Sequence, residues 1–272
     1  MVSSEAWIRF AAFACVLTVL VLWELIAPRR SQLLSRGSRW PSNFEVVLLD
    51  TVLLRLLFPT TAIGLALICE ARGWVLFHVL ALPAWATVPL AVIALDLAIY
   101  LQHVMFHAVP ALWRLHRMHH ADLEFDISTG VRFHPIEIVL SMGIKLGVVA
   151  ALGTPALAVL IFEVLLNATS MFSHSNVHIP FWLDRILRWI VITPDMHRVH
   201  HWIIVRETNS NFGFNLPWWD RLFGTYRAQP AAGHTDMTIG IEQFREAGEQ
   251  RLDRMLTQPF REDTPRYPLG RS

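Results

Sequence analysis

The sequence predicts an all-α, polytopic membrane protein: about three transmembrane helices plus a helical hairpin, with a cytoplasmic histidine-rich helical cap. Three observations carry this. Hydrophobic residues make up 54% of the 272 residues and charged residues only 17%, and the mean hydropathy is +0.41, which is not the composition of a soluble domain. The apolar residues are gathered into long runs separated by short polar or Pro/Gly-marked breaks. Ten of the 13 histidines fall into four short clusters at helical spacing.

Residues 7–27 (WIRFAAFACVLTVLVLWELIA) predict the first span. The run ends in Trp23-Glu24 and Pro28-Arg29-Arg30 without a small-residue cleavage site, which favours a retained helix over a signal peptide. Residues 29–44 read as a short loop whose Arg29, Arg30, Arg36 and Arg39 place it in the cytoplasm by the positive-inside rule. Residues 45–69 return outward. Asp50 and Arg55 inside that run are expected to snorkel near the inner end or to face neighbouring helices.

Residues 73–95 hold no Asp, Glu, Lys or Arg, and Pro83 and Pro89 predict a kinked helix or a re-entrant piece followed by a helix. The helix continues through Asp96, Tyr100, His103 and His107, which form one stripe at spacings of four, three and four. Pro110 ends it, and LWRLHRMHH starts the next. Residues 138–172 carry only Lys145 and Glu163 as charges, and Gly153-Thr154-Pro155 divides them into a hairpin. A hairpin enters and leaves on one side, so it keeps the histidine clusters before and after it on the same face. FWLDRILRWIVIT (181–193) mixes apolar residues with Asp184, Arg185 and Arg188. It reads equally as a helix in the membrane interface or as ordinary amphipathic packing. The polar stretch after residue 227, with Pro230, Pro259, Pro265 and Pro268, predicts a cap that frays at its end.

The clusters are HVMFH (His103, His107), HRMHH (His116, His119, His120), HSNVH (His174, His178) and HRVHH (His197, His200, His201). Residues i, i+3 and i+4 share a helix face, so each cluster aims its imidazoles at one region. Ten ring nitrogens exceed one ion and suit two, with four to five each. Ligand type alone permits zinc, copper, iron or nickel. A lone histidine is more often a satisfied core residue, but ten at these spacings are not explained that way.

Other residues are candidates to orient a ligand or to touch substrate. Asp96 lies on the His103 stripe. The connector 121–137 offers Asp122, Glu124, Asp126, Arg132, His134 and Glu137; His134, extended before a proline and outside the clusters, reads as structural or ligand-orienting rather than as a ligand. Asn176 lies inside HSNVH, and Asp195 stands two residues before His197. Asn209, Asn211, Trp218, Trp219 and Asp220 follow the last cluster, the tryptophans as interface anchors. Cys15 and Cys69 both sit in apolar runs, and without a CxxC pair they suggest no disulfide framework, zinc ribbon or iron–sulfur cluster. A net charge of +1 leaves no nucleic-acid footprint.

The series HVMFH, HRMHH, HSNVH and HRVHH, with GVRFHPIE (130–137) and NFGFNLPWWDRLFGTY (211–226), resembles the fatty acid hydroxylase/sterol desaturase superfamily of integral-membrane di-iron enzymes, over roughly residues 95–226. The resemblance implies two irons held by the ten clustered histidines, with O2 as co-substrate. It implies hydroxylation of an unactivated C–H bond of a lipid, or desaturation of a sterol or fatty acyl chain at the same site. His134-Pro135 continues as Ile-Glu, so no cytochrome b5 segment is evident. A separate cytochrome b5-, ferredoxin- or flavodoxin-type donor with its reductase is then implied. The chain divides into N-terminal transmembrane helices (1–100), a histidine-rich di-iron catalytic region with its hairpin at 138–172 (101–227) and a cytoplasmic C-terminal tail (228–272), in what reads as a bacterial inner membrane. Two non-enzymatic readings compete. A haem cytochrome would carry isolated histidines on separate helices rather than adjacent pairs. A metal transporter would carry ionisable groups at mid-membrane, whereas these histidines flank the apolar runs.

Overall fold

The computed structural model describes residues 2–73, 76–79, 82–261 and 269. Among them the chain is helical, and the strand-like pairings are two isolated bridges, Pro28 with Val177 and Trp202 with Ile239. Helix α1 runs Val2–Ile26, α2 Arg36–Leu57, α3 Ala62–Ala71, α4 Leu76–Val79, α5 Ala84–Ala108 and α6 Pro110–His120. After a connector come α7 (Pro135–Leu152) and α8 (Ala156–His174), then the short helices α9 (Phe181–Leu187), α10 (Pro194–His200), α11 (Val205–Thr208), α12 (Trp218–Leu222), α13 (Gly233–Asp236) and α14 (Leu252–Thr257). Among the described residues, five segments are long and apolar enough to cross a membrane: 5–26, 36–71, 84–108, 135–152 and 156–174.

The second of these starts earlier than the apolar run predicts. Its first turns carry Arg36 and Arg39, which the sequence assigns to a loop. Arg36 reaches Glu24 at 3.0 Å, and Arg39 is fully buried against Asp122 at 2.7 Å and Asp126. With one carboxylate supplied by α1 and two by the connector, both cations are paired, and the helix extends through them. Phe58–Thr61 interrupts the segment, and the Thr61 side chain accepts from Gly64 N to restart it as α3. Asp50 does not snorkel. It is buried on α2, which packs against α7. Residues 74, 75, 80 and 81 of the expected re-entrant stretch lie outside the described residues.

The hairpin forms where the sequence puts it. Gly153 closes α7 with φ of 64°, a left-handed cap that glycine takes without a Cβ clash. Its N–H donates to Val149 O at 3.0 Å, Thr154 Oγ1 donates to the same carbonyl at 3.2 Å, and Pro155 stands at the entry to α8. The apolar core lies where α3, α5, α7 and α8 meet, around Ala62, Ala66, Leu95, Ile99, Val149, Val159 and Phe162. Ala62 and Ala66 let α3 approach closely. Both arms of the hairpin and the end of α5 thus converge on one face, where α6 and α10 complete the set of histidine-bearing helices.

The segment after residue 227 is folded onto that face as far as residue 261. Gly240 N donates to His201 O at 2.9 Å, and Arg132 donates to Gln250 Oε1 at 2.6 Å. Met255 is buried with Val46 and Met118. Gly240 has φ of 102°, and a Cβ there would stand 2.9 Å from Asp122 O, so only glycine permits the approach. The expected fraying end, 262–268, lies outside the described residues.

Candidate metal centre

Nine of the ten clustered histidines converge. His103, His107, His116, His120 and His200 form one group, and His119, His174, His197 and His201 form another. Within each group, one ring nitrogen per residue lies within 4.8 Å of one from every other. All nine are buried. HRMHH divides between the groups, His116 and His120 going to one and His119 to the other, because successive residues on a helix point apart. HRVHH divides likewise, His200 to the first and His197 with His201 to the second.

His178 is a correction. The i, i+4 spacing of HSNVH counts only inside a helix, and α8 ends at His174. Ser175 is extended, with φ −66° and ψ 147°. The chain then turns away, His178 N donates to Ala27 O at 2.8 Å, and its side chain is exposed.

The hydrogen bonds decide the tautomers. Nδ1 of His103 donates to Phe212 O (2.7 Å), that of His200 to Ser210 O (2.7 Å), that of His174 to Ser170 O (2.7 Å) and that of His119 to Arg132 O (3.1 Å). Carbonyl oxygens only accept, so Nδ1 bears the proton and Nε2 is left as a bare lone pair. His107 Nδ1 donates to Asn209 Oδ1 (3.1 Å), and His116 Nδ1 donates to Glu137 Oε1 (2.7 Å).

The Nε2 atoms then face one another: His103–His116 at 3.0 Å, His103–His200 at 3.1 Å and His107–His120 at 3.2 Å in one group. In the other, His174 stands 3.1 Å from His119, 3.1 Å from His197 and 3.2 Å from His201. Facing lone pairs repel unless a cation lies between them. With metal–nitrogen bonds of about 2.0–2.1 Å, ligands at right angles stand about 3 Å apart. The residues present therefore fit two metal ions, one per group, bound by neutral imidazoles. Burial enforces neutrality. It holds His116 down at about 3 and keeps His119, His120, His197, His200 and His201 well below the usual imidazole value, with the neighbouring histidines adding to the effect in these five.

Of the other sequence candidates, Arg132 and Glu137 bond a clustered histidine, Arg132 through its carbonyl. The Arg132 guanidinium instead donates to Met118 O and Gln250. Asp122 accepts from Arg39 and Thr129. Asp195 pairs with Arg29 at 3.1 Å and with Arg198. Asn176 exchanges bonds with both backbone groups of Arg30, tying α8's end to the α1–α2 connection. His134 caps α7, its Nδ1 accepting from Ile136 N while Nε2 donates to Leu256 O. Asp96 accepts from Asn215 N and Nδ2, Leu216 N and Trp219 Nε1, so it fastens the loop after α11 rather than an imidazole.

That loop is what sequence reasoning undervalues. Residues 209–212 supply acceptors to three histidines of the five-membered group, two of them backbone carbonyls that no residue pattern announces. Asn211, between those carbonyls, takes the left-handed region at φ 52°. Asp220 holds the loop from the other side, accepting from Phe212 N (2.7 Å), Gly213 N (2.9 Å) and Thr225 Oγ1 (2.7 Å). The available signal was the NFGFNLPWWD stretch (211–220), which contains Phe212 and the anchor Asp220 and begins just after Ser210.

Fold and site together define a polytopic helical membrane protein with a paired, all-histidine face that could hold metal ions. The fatty acid hydroxylase family profile matches residues 88–225, about half of the chain, and the chain belongs to this family. Among curated relatives, it is 30% identical over 152 residues to the ornithine lipid hydroxylase OlsE of Rhizobium tropici, covering 56% of this chain and 45% of that one. It is 28% identical over 144 residues to the alkylglycerol monooxygenase of Xenopus tropicalis (50% and 30%). It is 27% identical over 159 residues to the cholesterol 25-hydroxylase of Rattus norvegicus (57% and 51%). The chain thus spans about half or less of the length of these relatives. No solved structure matches it.

Proposed function

We propose that this protein is a membrane-bound di-iron oxygenase that hydroxylates an unactivated C–H bond of a lipid. The observation that carries the reading is the pair of adjacent, buried, neutral-imidazole groups with Nε2 atoms about 3 Å apart, set at the ends of apolar helices. The balance is R–H + O2 + 2 e⁻ + 2 H⁺ → R–OH + H2O, with both electrons from a separate donor protein. Two irons, held by the nine converging histidines, would supply the oxygen activation. The chain's own part is to keep the imidazoles neutral, orient them through Nδ1 and exclude bulk water. Glu137 accepts from His116 Nδ1 at 2.7 Å and so fixes the orientation of that ring. An open polar cavity of about 400 Å³, lined in part by Arg206, Asn209, Ser210 and Arg227, brings solvent within one residue of His107 and His200. It offers a wet side for proton delivery.

Hydroxylation is preferred to desaturation because the relatives above are named hydroxylases and monooxygenases. Their named substrates (an ornithine lipid, an alkylglycerol and cholesterol) share a lipid character and no single headgroup, so the assignment stays at lipid. The basic residues Arg29, Arg30, Arg36 and Arg39 support a cytoplasmic histidine face.

The test is comparative lipidomics of membranes carrying the native chain or His119→Ala/His120→Ala, with metal analysis of both purified proteins. A lipid gaining one oxygen only with the native chain is the expected result. A lipid losing two hydrogens would make it a desaturase. Unchanged lipids together with iron-free native protein would overturn the reading.

A further inference from the structure

Helix α9 is inside-out. Its Asp184 and the Arg188 that follows it are buried and paired with each other, and Asp184 also accepts from Thr193 Oγ1 at 2.6 Å. The opposite face, at positions 181, 182, 185, 186 and 189, presents Phe181, Trp182, Ile186 and Trp189 to the outside, with Arg185 among them. Residue spacing of one, four and five makes this a single helical face continuing into the following turn. A second apolar face adjoins it. Trp218, Leu222 and Phe223, on α12 and just after it, are 46%, 69% and 52% exposed. The two faces are joined by Trp218 Nε1 donating to Trp189 O at 2.9 Å and by the Arg221 guanidinium 3.8 Å above the Trp189 ring.

The joined surface is continuous with a membrane-spanning helix. Phe223 stacks on Tyr100 of α5 with ring centroids 5.4 Å apart, and Trp219 Nε1 donates to Asp96 of α5 at 2.8 Å. Tyr100 is eight residues before the end of α5 at Ala108, about 12 Å along the axis. The surface is therefore seated against the span itself. Exposed large apolar patches mark an interaction surface. Here the mixture of tryptophans, whose N–H groups suit a half-wet layer, with arginines among them matches the chemistry of the lipid headgroup boundary.

We infer that α9, its following turn and α12 form a platform that lies in the lipid–water interface, with Trp182, Ile186, Leu222 and Phe223 in direct contact with phospholipid. This needs only the membrane setting and goes beyond the hydroxylase reading. The platform is also mechanically close to the site. Phe223 meets Tyr100, Tyr100 meets Phe212 at 6.4 Å, and Phe212 meets His103 at 5.5 Å. An aromatic column thus links the lipid-facing surface to the five-membered histidine group.

The test places a nitroxide label at Ile186→Cys and, separately, Phe223→Cys, in full-length protein with Cys15→Ser and Cys69→Ser, in nanodiscs of mixed zwitterionic and anionic phospholipid. Collision with oxygen, which concentrates in lipid, is compared with collision with a water-soluble nickel chelate. Leu56→Cys, exposed on α2, is the lipid reference, and the exposed Arg251→Cys is the aqueous reference. The expected oxygen-to-nickel ratio at Ile186→Cys and Phe223→Cys is several-fold above that at Arg251→Cys and close to that at Leu56→Cys. A ratio matching Arg251→Cys would overturn the inference, because the platform would face water. Exclusion of both reagents would also overturn it, because another protein or a second copy would cover the face. A wet Leu56→Cys would instead place the error in the membrane assignment itself.

Discussion

The five-histidine and four-histidine groups both turn Nε2 atoms toward one another but are held by different parts of the molecule. In the five-membered group, His103, His107 and His200 are fastened by residues 209–212, and His116 by Glu137 of α7. His103 and Phe212 are 109 positions apart in sequence. In the four-membered group, His174 bonds to Ser170 within its own helix, and His119 bonds to Arg132, 13 positions away. Three rings of the first group thus rest on the docking of a distant loop, whereas the bonds to His174 and His119 in the second are local. The difference teaches that neighbouring sites made from one residue type can fail separately, and that the loop's anchors, not its ligands, decide which.

The comparison breaks most severely at the ligands. His200→Ala and His119→Ala each remove one ligand, from the five- and four-membered group respectively. Each is expected to abolish lipid turnover and to lower the metal content measured by plasma mass spectrometry, and retained full activity in either would refute that residue's role. Asp220→Ala comes next. It leaves Phe212 N and Gly213 N buried without their acceptor, at about 1–3 kcal/mol each. Denaturation should show that loss, and chelator titration should show weakened binding confined to one ion per chain. Glu137→Gln keeps the side chain's shape and replaces the carboxyl oxygen that accepts from His116 Nδ1 with an amide. A 10–100-fold loss of affinity is expected at one ion only, in the range such partners typically contribute; equal weakening of both would erase the asymmetry proposed here.

Acid sharpens what the groups share. The folded chain holds His116 at about 3, against about 6.5 for a free imidazole. The folded state therefore binds fewer protons than the unfolded state between those values, and stability is lost as pH falls from about 6.5 toward 3. The thermal midpoint of metal-free protein should drop on acidification from pH 7 to pH 5 and be flat from pH 7 to pH 8. The smallest effect belongs to His178→Ala, an exposed change expected within about 0.5 kcal/mol of native stability and without change in metal content.

Much of this architecture is legible in the order of residues, and the parts that are not have physical reasons. The hairpin is legible because Gly153-Thr154-Pro155 is a local break between two apolar runs. The convergence of nine histidines is legible because helical spacing aims side chains. HSNVH misleads because its spacing continues after the helix has stopped at Ser175. The start of α2 misleads because Arg36 and Arg39 look like loop residues until Glu24, Asp122 and Asp126 reach them, the last two from more than 80 positions away. The supports behind His103 and His200 are illegible because they are backbone carbonyls, which every residue has.

The nine converging histidines lie between residues 103 and 201, while the segment that presses Gly240 against His201 and sets Gln250 and Met255 beneath the connector comes later in the chain. On the ribosome this order matters. The converging histidines are all translated before their cover, so on the proposed metal reading nascent protein would pass through a stage with complete binding groups and an open roof. Ions would have that interval to enter, and folding of the last stretch would then slow their escape. A chain arrested shortly after residue 227 should accordingly exchange bound metal far faster than the finished protein.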